Sequence, residues 1–180
     1  MKRLLAFALL FASGCSFFSK SKSTIYSLDP IAPAAPVAKR GTAVAIDTIE
    51  LPPGLDRREI VVRKANQQLD IRTNDLWPAN LQPMVLHTLA FDLASRLPEG
   101  MVVLPGQSRP SAAPRGIDVA FEDLTAGPEN HVTLDARWTL AGANHHERIT
   151  IDVRSLDSAS VATGTSQALA ALADRIAAGV

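Results

Sequence analysis

Hydrophobic residues recur along the chain with two different periods, and each period predicts a different kind of element. Alternation of apolar and polar residues is typical of strands that bury one face. It is clearest in three runs of the C-terminal half, Ile117–Phe121, Val132–Leu140 and Ile149–Val153. Because most of the residues between are charged or hydroxylated, we expect a meander of antiparallel strands with one face exposed to water.

Shorter strands are predicted in the first half of the chain. The segment Thr42–Leu51 alternates until Pro52-Pro53-Gly54 ends its pairing. A hairpin follows, with arms Ile60–Lys64 and Gln68–Thr73 around a turn at residues 65–67. A further short strand is expected at Met101–Leu104.

A four-residue period marks the two predicted helices. Large apolar residues recur at this spacing from Leu81 to Leu97, which predicts an amphipathic helix over about 80–97, ended by Pro98 and Gly100. A second apolar stripe, on Leu169 and Ile176, predicts a helix over about 165–178. Two helices covering one face of a mostly antiparallel sheet is the simplest packing, so the predicted class is an α+β two-layer sandwich.

The N-terminus has the pattern of an export signal. Met1-Lys2-Arg3 is followed by an apolar run from Leu4 to Ala12, which is too short to span a bilayer but fits a signal sequence. Small residues then lead to Cys15, the single cysteine of the chain. This arrangement resembles a bacterial lipobox, and the resemblance implies removal of residues 1–14 and acylation of Cys15. The alternative is an incidental cysteine within a cleaved signal.

The residues after Cys15 predict a tether. A Ser/Lys-rich tract reaches Thr24, a short strand is expected within 24–29, and prolines at positions 30, 33 and 36 favour an extended chain. We therefore divide the protein into a tether at 15–41 and one globular domain at 42–180. By resemblance to lipoproteins of this kind, Ser16 rather than an aspartate favours delivery to the inner leaflet of the outer membrane.

Charge and composition exclude several function classes. Removal of residues 1–14, which contain Lys2 and Arg3, leaves 16 of the 18 basic side chains against 18 acidic ones, a formal charge of −2. No basic excess favours nucleic acid as a partner. With Cys15 as the single cysteine, neither a disulfide within the chain nor a cluster of thiolate metal ligands is expected.

Catalytic chemistry is not predicted. The sequence contains no nucleophile elbow, zinc-protease motif or phosphate-binding loop, so we expect no enzyme, no cofactor and no metal. His145 and His146 fall in a predicted turn, where a metal would need further ligands such as His131 and Glu147. A solvated turn is the favoured interpretation of these residues, and His87 is interpreted as a structural residue of the first helix.

A loop and one aromatic residue are candidates for partner binding: Leu55, Asp56, Arg57, Arg58 and Trp77. The charge run that starts at Asp56 is interpreted first as a solvated loop with local ion pairs, and second as a partner contact. Trp77, just before the first helix, is interpreted first as a plug beneath the helix start, and second as an aromatic residue that faces a partner.

Several motifs together carry a resemblance to a known family: Tyr26-x-Leu28 after the lipobox, "LPPGLDRREIVVR" at Leu51–Arg63, Trp77 before a Leu-rich helix, and "SQALAALADRIA" at the C-terminus. The chain resembles ABC-type transport auxiliary lipoproteins of the paraquat-inducible protein C type. This resemblance implies an outer-membrane lipoprotein, anchored in the inner leaflet, that partners a periplasm-spanning protein with mammalian-cell-entry (MCE) domains. It also implies a role in phospholipid traffic and envelope integrity.

Two alternatives and one further property stay open from the sequence. The domain could cradle a lipid itself, which predicts an apolar cleft between sheet and helices. It could instead serve envelope assembly without a transport role. A homo-oligomer, such as a ring that extends the tunnel of the MCE-domain partner, is an additional hypothesis.

Overall fold

The computed structural model describes residues 22–33, 42–108 and 113–180. The predicted signal sequence, Cys15 and the proline at position 36 lie outside the described residues. The described elements, in chain order, are β1 Thr24–Ile25, β2 Val44–Glu50, β3 Glu59–Arg63, β4 Leu69–Leu76, α1 Leu81–Arg96, β5 Val102–Val103, β6 Arg115–Gly127, β7 His131–Leu140, β8 Ala143–Asp152 and α2 Ser158–Gly179.

The long strand β6 organises a single forked sheet. One edge of β6 pairs with β7 along almost its whole length, and β8 lies outside β7. The other edge is shared: the first half of β6 pairs with β2, and a residue near its end, Ala126, pairs with Val62 of β3. Beyond β2 lies β5, and beyond β3 lie β4 and then β1. The fork leaves a gap between β2 and β3 that the loop joining them must fill.

The α+β class is confirmed, but the sheet is mixed rather than mostly antiparallel. Three described pairings are antiparallel, and each joins neighbours in sequence: β3–β4, β6–β7 and β7–β8. The four described parallel pairings, β1–β4, β2–β5, β2–β6 and β3–β6, join strands that are distant in sequence. Alternation shows which face of a strand is buried and carries no information on the direction of its neighbour, so these pairings were not predictable from the pattern.

The predicted meander and hairpin are confirmed, with one correction. His145 and His146 lie within β8 and not in a turn. The reversal between β7 and β8 is made by Ala141 and Gly142 alone, both with positive φ, 51° and 83°. A two-residue turn of this hand matches the twist of the flanking strands. Because this turn is followed by Ala143 and Asn144, which also suit a loop, the sequence predicted a longer turn than the structure contains.

Both predicted helices are present, and α2 begins seven residues earlier than its apolar stripe indicates. The Asp157 side chain accepts the Ser160 backbone N–H at 2.9 Å and so caps the helix. Most residues in the first turns of α2 have small side chains, because this part of the helix packs closely on the sheet. A Cβ on Gly164 would lie 2.5 Å from Val153 Cγ1 and 2.8 Å from Val132 Cγ2.

The core lies between the sheet and the two helices, which also pack on each other. Helix α1 lies over β2 and β5, and α2 lies over β7 and β8. The largest side chains with under 2% exposure include Trp138, Leu89, Leu93, Leu134, Leu169 and Leu172. Burial of each such leucine contributes about 1.5–3 kcal/mol. Among the described residues, neither helix is long and apolar enough to cross a bilayer.

Candidate functional site

The segment that follows the predicted anchor is packed onto the domain. Strand β1 pairs in parallel with the end of β4, where Thr24 faces Asp75 and Ile25 faces Leu76. The Tyr26 N–H then donates to the Leu76 carbonyl at 2.9 Å. Further on, Leu28 is buried in the core with 6% exposure. The packed part of the chain therefore begins ahead of residue 42, and the expected strand within 24–29 is two residues long.

Both helices hold this segment by its backbone. The Thr88 hydroxyl of α1 donates to the Leu28 carbonyl at 3.3 Å. From the other side, the Ser166 hydroxyl of α2 accepts the Asp29 N–H at 3.1 Å. The segment therefore crosses both helices, and its position depends on their relative placement.

The tightest contacts are made by an acid and a base near the end of α1. Asp92 Oδ1 accepts the Ile31 N–H at 2.6 Å, and Arg96 Nη1 donates to the Ile31 carbonyl at 2.9 Å. Arg96 Nε also donates to Asp174 of α2 at 2.6 Å. We call Asp92 and Arg96 the backbone clamp, because together they satisfy both hydrogen-bonding groups of one residue.

Burial sets the electrostatics of the backbone clamp. Asp92 is fully buried and Arg96 is 3% exposed. Loss of water raises the pKa of the Asp92 carboxyl to about 6, although the Ile31 N–H and the charge of Arg96 act in the opposite direction. Asp92 Oδ2 is buried and has no hydrogen-bond partner among the residues that the structure describes, so its charged form is costly.

The predicted partner-binding group divides into a buried and an exposed part. The side chains of Leu55 and Trp77 are buried, at 5% and 3% exposure, and line the space between sheet and helices beside Leu81, Leu124 and Val161. Both side chains belong to the hydrophobic core. Asp56, Arg57 and Arg58 keep exposed surface and remain the members of the group that a partner could reach.

The charged members also have structural contacts. Asp56 Oδ1 accepts the Gln82 N–H at 2.9 Å, in the first turn of α1, whereas the side chain of Asn80, at the cap position, makes no capping hydrogen bond with the described helix. The Arg58 carbonyl accepts the Trp77 N–H at 2.6 Å. Arg57 forms an ion pair with Glu59 at 3.0 Å. The loop therefore fixes where α1 begins, a role that its sequence did not indicate.

The histidines do not form the cluster that was considered from the sequence. His145 faces the helices and stacks on Trp138, with ring centroids 3.8 Å apart. His146 faces the open side of the sheet, where its Nε2 lies 2.6 Å from Asp135 Oδ1. Glu147 lies 3.8 Å from Arg175, and His131 lies 3.9 Å from Glu129. His87 contacts Phe91 on the surface of α1.

Three potential ligands do meet on the open face of the sheet. One ligand atom each from Glu122, Asp135 and His146 lies within 4.8 Å of the others. Both carboxylates already have cationic partners, because Arg137 pairs with Glu122 and Arg148 lies 3.1 Å from Asp135. A metal ion would have to compete with these arginines, so the arrangement is that of an ion-pair network.

Comparison with known proteins gives one family and a consistent fold. Residues 26–177 match the family model described as the ABC-type transport auxiliary lipoprotein component. No curated protein matches the chain. A crystal structure of an uncharacterized protein superposes with a TM-score of 0.71 at 18% identity, covering 87% of this chain and 97% of the other. A DUF330-family protein from Xanthomonas campestris gives 0.62 at 15% identity, covering 85% and 92%.

Proposed function

Because the chain belongs to the ABC-type transport auxiliary lipoprotein family, we propose that it is the outer-membrane lipoprotein of an MCE-type transport system. In this role it docks the periplasm-spanning component to the outer membrane and so supports traffic of phospholipid or another hydrophobic cargo. The observation that carries the proposal is the family match over residues 26–177, which begins eleven residues after the lipobox cysteine.

The anchor of this proposal is Cys15. A single acyl chain holds a protein to a membrane only marginally, whereas two or three together contribute on the order of 10 kcal/mol or more. A protein held this way stays in its leaflet while its domain contacts a partner. Ser16, rather than an aspartate, supports placement in the outer membrane.

The domain suits a docking role better than a carrier role. A lipid carrier needs a large apolar space between sheet and helices, yet Leu89, Leu93 and Leu169 of that layer are fully buried. The cavity beside Leu55 and Trp77 holds only about 20 Å³. The exposed charges of Asp56 and Arg58, with the half-buried Arg57 between them, give the surface polar groups through which a partner could recognise it. An MCE-domain protein is the partner that we propose.

Replacement of the anchor tests the proposal. Cys15→Ser should leave a folded domain that no longer fractionates with the outer membrane and no longer retains the MCE-domain protein there. Ser16→Asp is the matched control, because it keeps the acylated cysteine and should redirect the protein to the inner membrane. A Cys15→Ser protein that still fractionates with the outer membrane would contradict the proposed anchor.

Partner capture tests the transport role separately. Crosslinking of the acylated protein in cells should yield a product with the MCE-domain protein of the same organism. An acylated outer-membrane protein that gives no such product would favour a role in envelope assembly instead.

A further inference from the structure

The direction in which the chain enters the domain is set by β1. This strand runs parallel to β4, with Thr24 facing Asp75 and Ile25 facing Leu76. Because the two strands run the same way, the residues before Thr24 lead back along β4 toward its first residue, Leu69. The backbone clamp holds the continuation of β1 on the helices, which keeps this direction fixed. The chain from the proposed anchor therefore arrives from the side of the β3–β4 turn.

The length of this chain allows the anchor to lie level with that turn. Nine Cα–Cα steps separate Cys15 from Thr24, and they span at most about 30 Å. Along β4, Asp75 and Leu69 lie roughly 20 Å apart. Cys15 can therefore reach the level of the β3–β4 turn, residues 64–68, without any change in the packed part of the chain.

The β3–β4 hairpin exposes apolar side chains near this turn. Of the four large apolar side chains that the described residues expose, Leu69 and Ile71 lie two residues apart on β4, at 46% and 41% exposure. The neighbouring Arg72 donates from Nη1 to the Ser158 hydroxyl of α2 at 2.7 Å. By alternation, Leu69 and Ile71 face away from the helices, on the open side of the sheet. We call these two residues the hairpin patch.

The acids beside the hairpin patch have basic partners. Asp70, between the two apolar residues, lies 3.3 Å from Lys64 and 3.9 Å from Arg72. Asp123 accepts two hydrogen bonds from Arg63, each of 3.0 Å. Lys64 keeps about half of its side chain exposed, and a lysine near a membrane surface is attracted by anionic headgroups. The charges of the hairpin therefore favour an approach to lipid.

Other charges at the same end of the sheet limit the depth of such a contact. The turn between β6 and β7 carries the exposed Glu129, and the end of β8 carries the exposed Asp152 and Arg154. These groups are costly to bury among acyl chains, whereas headgroups offer ammonium and phosphate partners. Lys22, on the entering chain, is also exposed. The surface thus suits the headgroup layer and not the acyl interior.

We propose that the hairpin patch and the β3–β4 turn rest on the headgroup layer of the leaflet that holds the acylated Cys15. The proposal rests on the acylation proposed above and adds an orientation to it. The candidate partner loop with Asp56 and Arg58 then lies at the other end of β3, roughly 15 Å farther from the lipid along the strand. One strand therefore joins the surface turned to the leaflet with the loop turned to the periplasm.

Site-specific quenching on the full acylated chain tests this orientation. Since acylation consumes the native thiol, Ala65→Cys in the β3–β4 turn supplies one free thiol for a fluorophore. Ala143→Cys, at the start of β8, is the matched control, because it also replaces an exposed alanine. In phosphatidylethanolamine–phosphatidylglycerol vesicles with headgroup nitroxide lipids, the label at position 65 should be quenched at least about threefold more than the label at 143, because roughly 30 Å of strand separate them.

A second variant tests the hairpin patch in the same vesicles. Leu69→Ser with Ile71→Ser, added to Ala65→Cys, should lower the quenching at position 65 by roughly half, because it removes the apolar surface that favours contact with the leaflet. Phe91→Ser is the matched control: it replaces an exposed apolar residue of α1 and should leave the quenching unchanged. Circular dichroism and thermal unfolding check that each variant is folded.

The possible results separate the orientation from the anchor. Equal quenching at 65 and 143, or stronger quenching at 143, in a protein with acyl mass on Cys15 would overturn the orientation and leave the anchor standing. Unchanged quenching in the folded double-serine variant would overturn the contact through the hairpin patch. A mature chain without acyl mass on Cys15 would overturn the anchor, and the orientation with it.

Discussion

Asp92 places an ionisable group where water does not reach it, and this makes the stability of the domain depend on pH. Its carboxyl has a pKa of about 6 in the folded protein and 3.8 as an ordinary side chain. Between these values the folded state keeps a proton that the unfolded state has lost. The contribution of Asp92 is therefore greatest in acid and declines as the pH rises from 3.8 to 6.

Asp92→Asn should remove this part of the pH dependence. From pH 5 to pH 7.5 we expect the wild-type free energy of unfolding to fall by on the order of 1 kcal/mol because of Asp92. The asparagine keeps an oxygen acceptor for the Ile31 N–H and has no proton to lose. Urea unfolding of both proteins, each in a Cys15→Ser background, measures the difference. Equal slopes with pH would contradict a raised pKa at Asp92.

Gly164 allows close contact between α2 and the sheet. Its φ is not in the left-handed region, so the requirement for glycine comes from space and not from backbone conformation. Gly164→Ala would push a methyl group against Val132 and Val153, and overpacking of this kind costs about 1–3 kcal/mol. Thr163→Ala, on the exposed side of the same turn, should change stability by under about 0.5 kcal/mol. Thermal unfolding distinguishes the two, and an unchanged Gly164→Ala protein would show that the helix can shift without cost.

At the scale of elements, the first turn of α1 is capped by a residue of the loop between β2 and β3. Asp56 supplies the cap from outside the helix, while the side chain of Asn80 occupies the cap position and makes no capping hydrogen bond with the described helix. A carboxylate at a helix N-terminus also interacts favourably with the helix dipole. The loop between β2 and β3 thus helps to fix the position of α1, the helix that lies over β2.

Loss of the Asp56 side chain should destabilise the domain more than loss of the Asn80 side chain. Asp56→Ala is expected to destabilise the domain by about 0.5–2 kcal/mol, as for other lost caps. Asp56→Asn should recover most of that loss, because the amide oxygen still accepts a hydrogen bond. Asn80→Ala is the control, with a smaller effect expected in urea unfolding. A larger effect at Asn80 than at Asp56 would contradict the assignment of the cap.

The elements themselves were largely predictable, and their long-range partners were not. The four-residue stripe predicted α1 to within a residue at each end, since large apolar side chains define its buried face. The start of α2 was missed because its close contacts require glycine, serine and alanine, which leave no apolar stripe. The parallel pairings, the Asp56 cap and the backbone clamp join residues that are distant in sequence, and no local pattern records such contacts.

On the scale of the whole molecule, the proposed anchor and the proposed partner surface have to work at the same time. The loop with Asp56, Arg57 and Arg58 lies between β2 and β3, whereas the segment that follows the proposed anchor enters beside β4. The packed segment 24–31 fixes the distance between the two. If the acylated chain is held near the leaflet as proposed, then the loop is presented to the periplasm at a defined height and orientation.

If an MCE-domain protein is the partner, as proposed, the charge of this loop should govern its recognition. Arg57→Gln with Arg58→Gln is expected to weaken binding about tenfold at low ionic strength, mainly through slower association, because exposed charges steer encounter more than they hold a complex. The effect should shrink as salt is added. Lys64→Gln, on the exposed β3–β4 turn, removes a charge elsewhere and should leave the Kd unchanged. Surface plasmon resonance with the purified partner measures both rates. Equal losses for Lys64→Gln and the loop variant would indicate general attraction between the proteins and would contradict a docking surface at the loop.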